Sequence, residues 1–234
     1  MKLLPTPEVH LADSDVEDAL GRAVAVINPM LDVLWGTDPF GLKRRTPPNA
    51  ASWVLNAADV PGTFAWDDLS TDDRINWWVW RVGALNTVAV AFPGVLGVVG
   101  RRLPIQDLLG FASQAIVLCA VARELGVTDQ RHQVRMLASV LCGRDLSVVV
   151  HEGHQPVSVA FTPAGIAKAL WQLIGVLDAV GDELAKRPHP RAPFRYIAML
   201  PAVGAVASYL GECGALSRAA KAGRRWIAQL GGAL

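Results

Sequence analysis

The segment His151-Glu152-Gly153-His154 comes nearest in this sequence to residues that could do catalytic chemistry. A zinc hydrolase motif places two histidines four positions apart on a helix, with a glutamate beside the first. Here the histidines are three positions apart, and Gly153 and Pro156 oppose a helix. Residues at that spacing in an extended segment point to opposite faces, so joint ligation would need a turn. The spacing favours a solvated turn, and we predict no bound metal.

Asp107 is a second candidate, because it lies within the most apolar part of the chain. A carboxylate in such surroundings must pair, accept hydrogen bonds or take up a proton. The first turn of a helix offers unpaired amides, which favours a structural role. A catalytic carboxyl with a perturbed pKa is the alternative. The sequence has no nucleophile elbow, phosphate loop or dinucleotide fingerprint, so we expect no cofactor.

Tryptophan and arginine occur together at two places in the chain, and a further arginine pair, Arg101-Arg102, follows the first uncharged run. Tryptophan favours the headgroup zone of a bilayer, and each basic residue near anionic lipid adds about 1 kcal/mol of attraction. Core aromatics beside a solvated basic face are the alternative interpretation. We predict membrane or lipid contact for Trp77, Trp78, Trp80, Arg81, Arg101, Arg102, Arg224, Arg225 and Trp226.

Apolar residues recur at helical spacing through most of the chain, which predicts an all-α multi-helix bundle. We expect the first helix to begin at Ser14, whose hydroxyl forms a capping box with Glu17. Uncharged runs at 82–100 and 196–211 are interrupted by proline and glycine, which predicts broken apolar helical hairpins. A basic amphipathic helix is expected at 217–230, with Cys213 in a glycine turn before it. One short β-hairpin, or an irregular turn, is expected at 146–161.

Proline and glycine also punctuate residues 37–69, which predicts a long irregular connector with at most a short helix near 50–58. We therefore divide the chain into two parts. Residues 1–70 form an N-terminal amphipathic helix and connector, and residues 71–234 form a helical domain.

Composition excludes several classes of protein. The residues are 52% hydrophobic and 18% charged, which excludes a disordered chain. A net charge of +1 opposes a dedicated nucleic-acid binder, which usually has a strongly basic face. Three widely spaced cysteines, Cys119, Cys142 and Cys213, exclude a disulfide scaffold and a four-thiolate zinc site. Buried cysteine is usually inert packing.

The chain resembles the EcsC family of bacterial proteins over 72–143 and 196–226. The resemblance is carried by Leu103–Leu108, Ala120–Gly126 with Asp129, Val134–Leu137, Leu141–Gly143, Leu200–Val206 and Ala219–Trp226. It implies a mainly helical protein linked to bacterial membranes and, in one lineage, encoded beside an ABC transporter. It implies no established reaction.

Three functional hypotheses follow. The first is a membrane-associated accessory or scaffold protein at the inner face of the bacterial cytoplasmic membrane, peripheral or re-entrant, with lipid or a membrane protein as partner. The second is a soluble cytoplasmic bundle with hydrolase-type activity around His151, Glu152 and His154. The third is a bundle whose apolar centre binds lipid or another apolar ligand. Nucleic acid is not an expected partner, and the sequence does not indicate an oligomeric state.

Overall fold

The computed structural model describes residues 12–36, 59–91, 105–146 and 204–231, with a few single positions between 155 and 176. The described residues are 84% helical and include no strand, which confirms the all-α class. The predicted β-hairpin at 146–161 lies outside them except for positions 146 and 155. The helices are α1 (Asp13–Gly36), α2 (Phe64–Asp68), α3 (Thr71–Ala91), α4 (Ile105–Glu124), α5 (Gln130–Leu137) and α6 (Gly204–Gly231).

The first helix begins one residue before the predicted capping box. Asp15, rather than Glu17, reaches back, and its carboxylate accepts a hydrogen bond from the Ala12 amide at 3.2 Å. The prediction of Ser14 as the cap was therefore wrong, because an acidic residue three positions after Ala12 performs the same role. In α3 the cap is Ser70, whose hydroxyl accepts from the Asp73 amide at 3.2 Å.

The fourth helix ends where its glycine predicts. Gly126 takes a left-handed φ of +81°, a conformation that costs glycine little. Its amide donates to the Arg123 carbonyl at 3.0 Å, and the Val127 amide donates to the Ala122 carbonyl at 2.8 Å. This pair of bonds is a Schellman motif, which satisfies two of the last carbonyls of the helix.

The last described helix corrects the predicted organisation of the C-terminal region. Residues 204–231 form one continuous helix, so the turn expected around Cys213 does not exist and Cys213 is buried within α6. Glycine has a low helix propensity, which led to the prediction of a break. A short helix, α2, also lies inside the predicted connector, capped by the fully buried Thr63.

Contacts between the helices define one end of the bundle. Trp78 in the first half of α3 donates a hydrogen bond to Glu124 at the end of α4, which joins these two helices. Gly223 near the end of α6 lies against α4, and a Cβ there would come within 2.6 Å of the Leu118 side chain. Buried residues of α1, α3, α4, α5 and α6 share one hydrophobic core cluster.

Candidate functional site

Four tryptophans from three helices form a contiguous group that we name the tryptophan cluster: Trp35, Trp66, Trp77 and Trp78. Trp66 packs edge-on to Trp77, with ring centroids 5.3 Å apart, and Trp35 lies 5.2 Å from Trp78. Edge-to-face pairs contribute beyond their buried area, at about 0.5–1.5 kcal/mol each. The cluster therefore joins the end of α1 to α2 and the start of α3.

Arginine side chains pack against the rings of the tryptophan cluster. A guanidinium over an indole face is attracted by the ring quadrupole. Such cations also keep part of their charge in solvent, so the cluster is a boundary between core and surface rather than purely apolar core. The stacked pairs, with guanidinium-to-centroid distances, are Arg123 on Trp35 at 5.0 Å, Arg74 on Trp66 at 5.8 Å and Arg81 on Trp77 at 5.8 Å.

Glu124 is the buried acid of this region, with only 4% of its side chain exposed. Its Oε1 accepts a hydrogen bond from Trp78 Nε1 at 3.2 Å, and its Oε2 lies 3.7 Å from Arg74 Nη1. Burial raises the pKa of this carboxyl, and the Trp78 bond and the Arg74 charge oppose that rise only in part. Because both of its oxygens face side chains of α3, Glu124 anchors α3 to α4.

Arg123 makes the corresponding connection to α1. Its Nη1 donates to the Asn28 carbonyl at 3.1 Å, and its Nη2 pairs with the Asp32 carboxylate. Because Arg123 also stacks on Trp35, one side chain fixes the end of α1 by three kinds of interaction. The sequence analysis did not predict that Arg123 joins α4 to α1. The available signal was the charged pair Arg123-Glu124 at the end of an otherwise apolar helix.

Two large apolar side chains of α2 and α3 remain at the surface. Phe64 and Trp80 are each 48% exposed, and they are the exposed large hydrophobic residues of the described chain. The helices that carry them are held together by the Trp66–Trp77 contact and by Arg74 Nη2, which donates to the Asp67 carbonyl at 3.0 Å. We name Phe64 and Trp80 the aromatic surface.

Some of the residues predicted to contact a membrane are buried, and others are exposed on the surface. Trp78 is 2% exposed and lies in the core, so it is not available to lipid, and Trp77 is half-buried in the cluster. On the surface are Trp80 and Arg81 of α3 and Arg224 and Arg225 of α6, whereas Trp226 packs partly against the core. Arg101 and Arg102 lie outside the described residues.

An ion pair brings the predicted C-terminal group to α3. Arg224 Nη1 lies 2.6 Å from Asp72 Oδ1, so the end of α6 meets the first turn of α3. Trp80 follows eight residues later on α3, which is about 12 Å along the helix axis. Residues far apart in sequence therefore share one side of the bundle.

The remaining catalytic candidates are not placed by the structure. His151, Glu152 and His154 lie outside the described residues, and so does the side chain of Asp107, although its backbone is in the first turn of α4. Among the side chains that are described, no group of three or more His, Cys, Asp or Glu is arranged to hold a metal. Burial raises the pKa of the Cys119 thiol to about 12, against a small opposing effect of Arg123, so this thiol is unreactive at neutral pH.

Comparison of the chain with protein-family models, curated proteins and solved structures finds no match. The resemblance to the EcsC family therefore stays a prediction. Within the described ranges, none of the helices combines the length and the apolar character that crossing a bilayer requires.

Proposed function

We propose that this protein is a membrane-associated accessory or scaffold protein that binds the inner face of a bacterial cytoplasmic membrane through its aromatic surface. The proposal depends on one observation: Phe64 and Trp80 stay 48% exposed, while the neighbouring Trp66 and Trp78 are buried. Leaving two large aromatic side chains in water forgoes about 25 cal/mol for each Å² of apolar area left uncovered. A surface of this kind is typical of a contact site.

The position of the aromatic surface suits an interfacial role. Aromatic side chains concentrate at the headgroup level of bilayers, where one edge of the ring is wet and the rest is apolar. Trp66 of α2 and Trp77 of α3 pack together with centroids 5.3 Å apart, which fixes the two helices that carry this surface relative to each other. A fixed arrangement lowers the entropy cost of binding, because few side chains must be ordered on contact.

A contact role is also consistent with the state of Glu124, the buried acid beside the tryptophan cluster. The Glu124 side chain is 4% exposed and is engaged by Trp78 and Arg74. It therefore holds α3, which carries Trp80, against α4. The resemblance to a membrane-linked helical family without an established reaction is consistent with an accessory role.

The proposal is tested by fractionation of cells that produce the full chain. We expect the protein in the membrane pellet, released by alkaline carbonate because binding is peripheral. The double variant Phe64→Ala/Trp80→Ala should move to the supernatant. Asn76→Ala, which changes an exposed polar residue on the same helix, is the matched control and should stay in the pellet. Recovery of the unaltered protein in the supernatant would contradict the proposal.

A further inference from the structure

The charges around the aromatic surface indicate which kind of membrane it fits. The sequence pattern alone predicts attraction of the basic residues of α6 to anionic lipid. In the structure, Arg224 of α6 is instead paired with Asp72 of α3 at 2.6 Å. Its charge is therefore offset by an acidic residue of the same surface.

Exposed acidic and basic residues are equal in number on the described helix segments that carry or adjoin the aromatic surface. Two of them, Asp67 and Asp68, lie three and four residues after Phe64 on α2. In the described part of α2, α3 and the end of α6, four exposed aspartates oppose four exposed basic side chains. They are Asp67, Asp68, Asp72 and Asp73 against Arg81, Lys221, Arg224 and Arg225.

We propose that the aromatic surface binds the interfacial region of a bilayer with little regard to the net charge of the headgroups, so that zwitterionic lipid suffices. This inference rests on the proposed function and names the class of lipid surface that the site takes. Attraction to anionic lipid needs an excess of basic residues near the surface, whereas the interfacial preference of tryptophan does not depend on headgroup charge. The balanced charges remove the attraction to anionic lipid and leave the interfacial preference of tryptophan.

Cosedimentation of the purified full-length protein with vesicles tests the inference. One set of vesicles is phosphatidylcholine alone, and the other is an equal mixture of phosphatidylcholine and phosphatidylglycerol. We expect the two partition coefficients to agree within about twofold at low and at high salt, because no net attraction is present to be screened. Each unopposed basic residue adds about 1 kcal/mol of attraction to anionic lipid, which is about fivefold in the partition coefficient. Four of them would therefore give a preference of several hundredfold for the anionic vesicles.

Variants at the aspartates make the test sharper. Asp67→Asn and Asp68→Asn together leave an excess of basic residues, so the double variant should gain about a tenfold or greater preference for anionic vesicles. High salt should abolish that gain. Trp80→Ser should weaken binding to both kinds of vesicle equally, and Asn76→Ala should change neither. Helix content by circular dichroism shows that each variant is folded.

The possible results separate the two proposals. Binding to neither kind of vesicle overturns the proposed function and this inference with it. Binding confined to anionic vesicles and lost at high salt overturns the inference alone and leaves the membrane function standing. Equal binding that the aspartate variant converts into a salt-sensitive preference supports both.

Discussion

The tryptophan cluster and the interface between α1 and α5 hold the same bundle together by opposite means. In the cluster, Trp66 and Trp78 are buried to 1% and 2% exposure and stabilise by apolar burial and ring contacts. At the α1–α5 interface, buried amides supply hydrogen bonds instead. Asn28 Nδ2 donates to Gln133 Oε1 at 2.8 Å, and Gln130 Nε2 donates to the Gly21 carbonyl at 3.1 Å.

The difference shows why one region is a candidate for function and the other is not. The amide groups of Asn28, Gln130 and Gln133 at the α1–α5 interface each donate a hydrogen bond to an acceptor within the protein, and Gln133 is fully buried, although Asn28 Oδ1 is buried without a hydrogen-bond partner. On α2 and α3, which carry most of the tryptophan cluster, Phe64 and Trp80 are in contrast each 48% exposed. The α1–α5 interface joins two helices of the protein, whereas the exposed apolar area of Phe64 and Trp80 is available to a binding partner.

The largest expected effect separates buried from exposed tryptophan on the same helix. Trp78→Ala should lower the free energy of unfolding by about 3–5 kcal/mol, because it leaves a cavity and removes the bond to Glu124. Trp80→Ala should lower it by only about 1–1.5 kcal/mol, because about half of the side chain is already in solvent and only the other half loses its burial. Urea denaturation followed by circular dichroism measures both. Equal effects at the two positions would remove the distinction between cluster and surface.

A smaller effect is expected at the α1–α5 interface. Gln133→Leu removes the bond to the Val127 carbonyl and leaves the Asn28 amide without its acceptor, which should cost about 1–3 kcal/mol. The same substitution at the exposed Gln229 of α6 is the matched control and should cost little. If Gln133→Leu raised stability in the same denaturation experiment, the interface would depend on packing rather than on hydrogen bonds.

The smallest effect concerns pH. Because burial raises the pKa of Glu124 above its unfolded value, the folded state holds this proton more tightly. Its contribution to stability is complete below the unfolded pKa and is lost as pH rises through the raised folded pKa. Glu124→Gln cannot titrate, so the Tm of the variant should gain on that of the unaltered protein as pH rises from acid to neutral.

Asp129 provides the internal reference for that measurement. Burial works to raise its pKa, but hydrogen bonds from the His132 amide and ring lower it overall. Its contribution therefore has the opposite sign and is lost as pH falls through the lowered pKa. Both proteins contain Asp129, so its effect cancels in the difference between their Tm values. If the Tm of Glu124→Gln instead fell relative to that of the unaltered protein as pH rose, the charged form of Glu124 would be the favoured one in the folded state.

Much of the helical framework was predictable, because its signals are local. The acidic residues Asp72 and Asp73 mark the first turn of α3, although the cap is Ser70 and not the predicted Thr71, and the ends at Gly126 and Gly143 follow from left-handed glycines. The predicted break near Cys213 was wrong, because packing against α4 keeps α6 helical where local propensity opposes it. The π-helical turn at Ala138–Cys142, which extends α5, had no recognised sequence signal.

The candidate site was predicted in part. Trp80 and Arg81 were named from their types, but Phe64, Trp66 and Glu124 were not. Trp66 belongs to a short helix in a region rich in proline and glycine, where periodicity gives no signal. The role of Glu124 depends on residues 46 and 50 positions away in the chain, so no local pattern could reveal it.

The sequence by itself determined the all-α class and most helix boundaries, because capping and hydrophobic periodicity act over a few residues. Only the tertiary structure decided which tryptophan of α3 is buried and which faces solvent, since that depends on where α1, α2 and α4 pack. It also decided that the arginines of α6 lie beside aspartates of α3. Charge balance at a surface is a property of residues brought together by folding, and composition alone does not contain it.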